Sequence, residues 1–301
     1  MASVLSSLRY LLADFIGEDD DTPPSLPEGL PDGAAALVSE GIDRLIDYQS
    51  AGYAQLYVDR LRRFIGRRDV DDAMFGEIAR LMALRMSYED PIRIAQLKLA
   101  EIGIDAANPR VQSTDDVRKF RLDELIGALP AAAAEPMLDV LEWVGWTHKP
   151  VSIRFSTKSR WGIRRLKIEA SLRRWRRFSV RYAKERAWVE RWLHMISRSL
   201  VKQPKAAAEI VQTATMIEGY GDVYRQGLAD WHAIIDGLVK PTFDGALPLP
   251  DVAGAVAEAR AAGRPDPRQA ALKRTIAEIR AQATSEAQQP VVPAKAGTHN
   301  P

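Results

Sequence analysis

The sequence predicts a mostly α-helical protein, and three observations lead to that fold class. Apolar residues recur at steps of three and four over most of the chain, as they do along one face of a helix. No βαβ rhythm, fixed-period repeat or glycine-rich phosphate loop is present. Only 149–157 alternates apolar and polar residues in the way of a strand. We therefore expect a multi-helix domain with one long basic amphipathic helix and at most a short β element.

The composition is that of a soluble globular protein and excludes several chemistries. Of 301 residues, 46% are hydrophobic and 27% charged, with a formal net charge of +2. The absence of cysteine excludes disulfides, thiolate-held iron–sulfur clusters and cysteine zinc sites. The four histidines show no ligand spacing, so no metal site is predicted. No apolar run approaches the roughly 20 residues that span a bilayer, and a cytoplasmic location without membrane contact is expected.

The first 33 residues are expected to form an N-terminal helix and a tether. The helix is predicted by apolar residues at helical spacing, namely Val4, Leu8, Leu11, Leu12 and Phe15. From Gly17 to Gly33 the chain is acidic and rich in proline and glycine, which is typical of a loop.

A helical domain is expected over 34–245. Amphipathic periodicity predicts helix between residues 34 and 64, and two more helices follow it. Asp69 or Asp71 is expected to cap the first of these, and Asp90 and Pro91 to begin the second, with Gly103 as its end. Over 116–146 the pattern predicts helical pieces broken at Pro130 and Pro136.

The longest predicted helix runs from Trp161 to Val201. Its expected buried stripe has steps of three, four and seven residues: Ile168, Leu172, Trp175, Tyr182, Val189, Leu193, Ile196 and Leu200. Between Arg154 and Arg191, 14 Lys/Arg residues stand against three Glu, which gives this segment a net charge of +11. A nearly neutral chain therefore contains a strongly basic segment.

A glycine-rich turn is expected shortly after that helix. In Gly219-Tyr220-Gly221-Asp222, a glycine can take the left-handed conformation that ends a helix, and Asp222 can cap the next one. Gly227 would allow close packing. The free amides of such a turn could instead hold an anion, with Arg225 completing the site.

The C-terminal part is expected to contain a loop and one terminal helix over 246–284, with the helix starting at Asp266 and Pro267. A disordered tail is expected over 285–301.

Four segments, in order, resemble the C-terminal helical domain of the indolepyruvate oxidoreductase beta-subunit family. They are 44–61, which contains Tyr-Gln-x-x-x-Tyr-Ala, together with 77–99, the arginine-rich 173–193 and 217–231 with its Gly-Tyr-Gly-Asp turn. The resemblance extends from Leu37 to Asp244. It departs from the family at Glu218, where lysine is usual.

The resemblance implies a place in a complex that oxidises arylpyruvates to aryl-acetyl-CoA with thiamine diphosphate, coenzyme A and ferredoxin. This chain has neither a Gly-Asp-Gly thiamine motif nor cluster cysteines. We expect it to correspond to the helical domain alone, without the α/β domain that precedes it in the family. An accessory or assembly role without catalysis is therefore expected. Thiamine diphosphate and iron–sulfur clusters would be held by partners, which are a thiamine-dependent oxidoreductase subunit or ferredoxin.

Several roles for the basic segment stay open at this stage. Docking to an acidic partner would use Arg164, Arg165, Arg173, Arg174, Arg176, Arg177 and Arg181. A nucleic-acid module would pair these cations with phosphates and stack bases on tryptophans. A membrane-surface helix, a solvated helix flank without a partner, and a non-functional remnant of the fused enzyme are further alternatives.

Overall fold

A computed structural model describes residues 22–107, 116–157, 159–263, 266 and 268–288. It confirms the mostly α-helical fold class. Within these ranges the only sheet is a two-stranded antiparallel one. The predicted N-terminal helix and most of the predicted tail lie outside the described residues.

The described chain divides into two compact units. The described residues of the first unit fall within 22–192 and 219–222, and those of the second fall within 193–218 and 223–288.

The first unit begins with four helices joined by short capped turns. They are α1 (Ala34–Tyr48), α2 (Ala51–Leu61), α3 (Asp72–Met86) and α4 (Pro91–Ala107). Asp71 accepts the Met74 amide at 2.7 Å, and Asp90 accepts the Arg93 amide at 2.6 Å, so both predicted helix starts are confirmed. The predicted end at Gly103 is wrong, because α4 continues through it to Ala107.

A small sheet and two helices follow. Strand β1 (Asp116–Arg121) leads into α5 (Leu122–Gly127) and α6 (Ala131–Val144), and strand β2 (Pro150–Phe155) pairs antiparallel with β1. The predicted strand is thus confirmed, whereas its partner β1 falls where helix was expected. Of the two predicted breaks, Pro130 precedes α6 as its N-cap, whereas Pro136 lies inside the helix and does not end it, although its missing amide costs one backbone hydrogen bond.

The long predicted helix is interrupted. In its place are α7 (Arg160–Ser171), a 3₁₀ segment (Leu172–Phe178) and α8 (Val180–Lys202). Ser179 separates the last two and caps α8 by accepting the Tyr182 amide at 3.1 Å. Its hydroxyl in turn donates to the Arg176 carbonyl oxygen at 2.8 Å.

The remaining helices lie wholly or largely in the second unit. They are α9 (Ala207–Gln212), α10 (Gly221–Ile234), a π segment (Ile235–Val239), α11 (Lys240–Phe243), α12 (Val252–Ala262) and α13 (Ala270–Gln288). Helix α12 packs between α9 and α13; it falls in a stretch expected to be loop. Asp266 accepts the Ala270 amide at 2.8 Å, so the last helix begins three residues after Pro267.

Candidate functional site

Helix α7 is held by its inner face against α4 and the sheet. Leu166 is buried with Ile94, Ala95, Phe120 and Phe155 in one apolar cluster. The helix starts at Ser159, whose hydroxyl accepts the Gly162 amide at 2.9 Å. These contacts fix which side of α7 faces outward.

The outward side of α7 carries a second apolar stripe. About 100° of rotation per residue places Trp161 and Ile168 on the side of α7 away from Leu166, and Leu172 follows at the start of the 3₁₀ segment. Their exposed fractions are 80%, 58% and 42%, and Trp175 in the 3₁₀ segment is 49% exposed. Large apolar side chains grouped on one exposed face are a common feature of binding surfaces.

Cations flank this stripe on both sides. Arg164, Arg165 and Arg173 are exposed, and the Arg164 guanidinium lies 6.0 Å from the centre of the Trp161 ring. Arg165 Nε lies 2.7 Å from Glu169 Oε1 in an exposed pair. We call the set of Trp161, Arg164, Arg165, Ile168, Leu172, Arg173 and Trp175 the basic ridge. Its three arginines are exposed, Lys167 is exposed beside them, and Glu169 is the one acidic residue between Arg160 and Phe178, so the ridge is positively charged.

Arg176 does not belong to this surface, although the sequence analysis placed it there. It is 1% exposed. Its guanidinium donates to both oxygens of Asp90, at 2.7 and 3.0 Å, and to the Tyr48 carbonyl oxygen and Gln49 Oε1 at 2.7 and 3.0 Å. Burial opposes its charge, but Tyr48 and Asp90 favour it more strongly, so the pKa of Arg176 is raised. Arg176 is a structural residue.

Two other arginines that were predicted to dock a partner are less exposed than the arginines of the ridge. The Arg181 side chain is 10% exposed, lies 3.8 Å from Glu185 and stands 5.1 Å from the Tyr88 ring centre. Arg177 is half-buried. The side chain of Arg174 lies outside the described part of the structure.

Two ion pairs that the sequence did not predict join buried arginines of α2 and α3 to α8. Arg85 pairs with Glu185 at 2.8 Å, with both side chains about 95% buried. Arg60, 1% exposed, pairs with Glu190 at 2.9 Å. The available signal was the position of Arg60 and Arg85 within apolar helical stretches, where an arginine needs an internal partner.

The predicted glycine turn is structural. Gly219 and Gly221 have φ of 64° and 69°, in the left-handed region that favours glycine. The Gly221 amide donates to Glu124 Oε1 at 3.0 Å, so a carboxylate from the chain itself occupies the place of an anion. Tyr220 packs on Phe120 with ring centres 5.3 Å apart.

Two further predictions about this region need correction or placement. Asp222, predicted to cap a helix, lies in the first turn of α10 and accepts from Arg121 at 3.4 Å. Gly227 lies in α10, where an added Cβ would come within 2.0 Å of the Met216 carbonyl oxygen. Arg225, in the same helix, is half-buried.

No group of three or more His, Asp or Glu that could hold a metal occurs among the described residues. No helix in the described ranges is long and apolar enough to cross a membrane.

The fold and the ridge define a helical domain with a basic, tryptophan-bearing outer surface. The chain belongs to a family of unknown function, DUF6537, whose model matches residues 34–237. This range begins at the first residue of α1 and includes the whole ridge. No curated protein and no solved structure matches the chain.

Proposed function

We propose that this chain is a non-catalytic docking domain that binds an acidic protein surface through the basic ridge. The exposed apolar stripe of α7 between arginines is the observation that supports the proposal. Tryptophan and arginine contribute most often to the binding energy of protein interfaces. Positive charge around them accelerates association with an acidic partner and sets its orientation.

The identity of the partner is proposed from sequence resemblance. The partner would belong to a thiamine-diphosphate-dependent arylpyruvate:ferredoxin oxidoreductase in the cytoplasm, either as a sister subunit or as ferredoxin. Thiamine diphosphate and iron–sulfur clusters would be bound by those partners, and this chain would assemble or orient them.

Affinity purification of the tagged chain from its native host tests this proposal. We expect the oxidoreductase subunit or ferredoxin to be captured at low salt and lost at high salt, because the screening length falls from about 10 Å at 0.1 M to about 3 Å at 1 M. A variant with Arg164→Glu, Arg165→Glu and Arg173→Glu should lose the same partner.

The control variant carries the same charge change away from the ridge. Arg62, Arg68 and Arg274 are exposed, so their replacement by glutamate should leave capture unchanged. Equal loss in both variants would indicate a general charge effect and contradict a ridge-specific contact. Recovery of nucleic acid alone, lost in the ridge variant, would replace the proposal with the nucleic-acid alternative. Recovery of the chain alone would contradict the proposal.

A further inference from the structure

Helix α6 presents a second exposed apolar face, in the same unit as the ridge. Its inner residues Ala134 and Leu141 are buried with Ile126. On the opposite side, Trp143 is 88% exposed and Val140 is 59% exposed. Met137, Val144 and Trp146 extend this exposed apolar surface.

Acidic residues border this face of α6. Glu135, Asp139 and Glu142 recur at steps of four and three, so they form one stripe next to Trp143. All three are exposed, and none forms an ion pair with another described residue. Helix α6 contains no Lys or Arg. Its solvent side is therefore apolar and negative.

The two exposed surfaces are complementary in character. The basic ridge combines an apolar stripe with flanking cations, whereas α6 combines an apolar stripe with flanking carboxylates. Opposite charges at the edges of two apolar stripes favour their association and fix which stripe meets which. Two α6 helices would repel each other, and so would two ridges.

We propose that α6 of one copy of this chain binds the basic ridge of a second copy. The proposal rests on the ridge being a docking surface, as in the proposed function, and it adds a competitor for that surface. A partner and a second copy could not occupy one ridge together. Self-association would therefore regulate access of the acidic partner.

The test is light scattering on the purified full chain, without any partner. At high concentration and low salt, we expect a mass at least twice the 33.5 kDa of one chain. An α6 variant with Glu135→Lys, Asp139→Lys and Glu142→Lys should be monomeric. The ridge variant with Arg164→Glu, Arg165→Glu and Arg173→Glu should be monomeric as well.

Mixing the two variants should restore association, because each then offers a surface opposite in charge to one on the other. A matched control, with Asp32→Lys, Glu40→Lys and Asp43→Lys, changes three exposed acids elsewhere and should still associate. Circular dichroism checks that every variant is folded.

A monomeric wild type, association that survives either reversal, or no recovery on mixing would overturn the proposal. None of these results would change whether the acidic partner is captured from the host. The self-association proposal can therefore fail while the proposed function stands.

Discussion

Arg173 and Arg176 show that burial, more than position in the sequence, decides the role of a charged residue. Arg173 and Arg176 are three residues apart in the same basic run, yet Arg173 is exposed and Arg176 is enclosed by Asp90, Tyr48 and Gln49. The Tyr48 ring lies 3.9 Å from the guanidinium of Arg176. Arg173 thus contributes surface charge, whereas Arg176 holds the interior together.

Arg176→Ala is expected to lower the free energy of unfolding by about 3–5 kcal/mol, because it leaves the Asp90 carboxylate buried without its partner. Arg173→Ala should change it by less than about 0.5 kcal/mol, as for other surface substitutions. Urea unfolding of both variants measures the difference. Similar losses in the two variants would contradict the separation of roles.

The buried tyrosines of the first unit predict alkaline instability. Burial raises the pKa of Tyr48, Tyr53, Tyr57 and Tyr88 above the ordinary value. In the unfolded chain they ionise near about pH 10. Their contribution to stability is therefore complete below about pH 10 and is lost as the pH rises above it.

Tyrosine absorbance should accordingly rise together with the loss of helical circular dichroism in an alkaline titration. Tyr48→Phe is the matched variant, since the Tyr48 hydroxyl has no hydrogen-bond partner among the described residues. It should shift unfolding to higher pH. Ionisation of all tyrosines before any helix is lost would show that these hydroxyls are not shielded.

At the scale of elements, α7 separates a packing face from a binding face. Its inner side is fixed by Leu166, while Trp161 and Ile168 on the outer side contribute little to the core. In α8, by contrast, Trp188 and Trp192 are buried and stack with ring centres 6.0 Å apart.

Trp161→Ala should therefore change stability by less than about 0.5 kcal/mol, whereas Trp192→Ala should cost about 3–5 kcal/mol. Thermal unfolding of the two variants measures this contrast. The Trp161 variant should also weaken partner capture while staying folded. A large loss of stability in that variant would place Trp161 in the core and remove it from the ridge.

Local signals in the sequence predicted the starts of α3 and α4 and strand β2. Each signal acts within a few residues: the Asp71 cap, Asp90 with Pro91, and the alternation of side chains in β2. These elements could therefore be predicted without knowledge of the tertiary fold. Strand β1 was missed because its pairing with β2 is distant in sequence and only Phe120 within it is buried.

The sequence showed that this segment is basic, but it did not show which of its side chains are exposed. The helical spacing of Ile168, Leu172 and Trp175 is like that of Val189 and Leu193 further along the chain. The sequence therefore predicted that all five side chains lie on one buried stripe. The 3₁₀ segment and Ser179 break that register, and α7 turns its Leu166 side inward. Periodicity indicates an apolar face, but it does not reveal which of two apolar faces has a partner.

At the scale of the whole molecule, the family range and the ridge suggest where function lies. Residues 34–237 contain the four-helix start, the sheet and the ridge, and they leave out α12 and α13. The side chains of the apolar stripe are 42–80% exposed, and the proposed docking role would account for that exposure.

The most direct measurement is photo-crosslinking in the native host, with a photoreactive phenylalanine at position 161. The same group at position 201 is the control, since Val201 is 74% exposed and lies outside the ridge. The account predicts adducts from position 161, and not from 201, to an acidic segment of the oxidoreductase subunit or ferredoxin. Adducts only to a second copy of the chain would contradict the partner claim while supporting self-association. No adduct from position 161, or adducts only to nucleic acid, would contradict the central claim that the ridge binds an acidic protein.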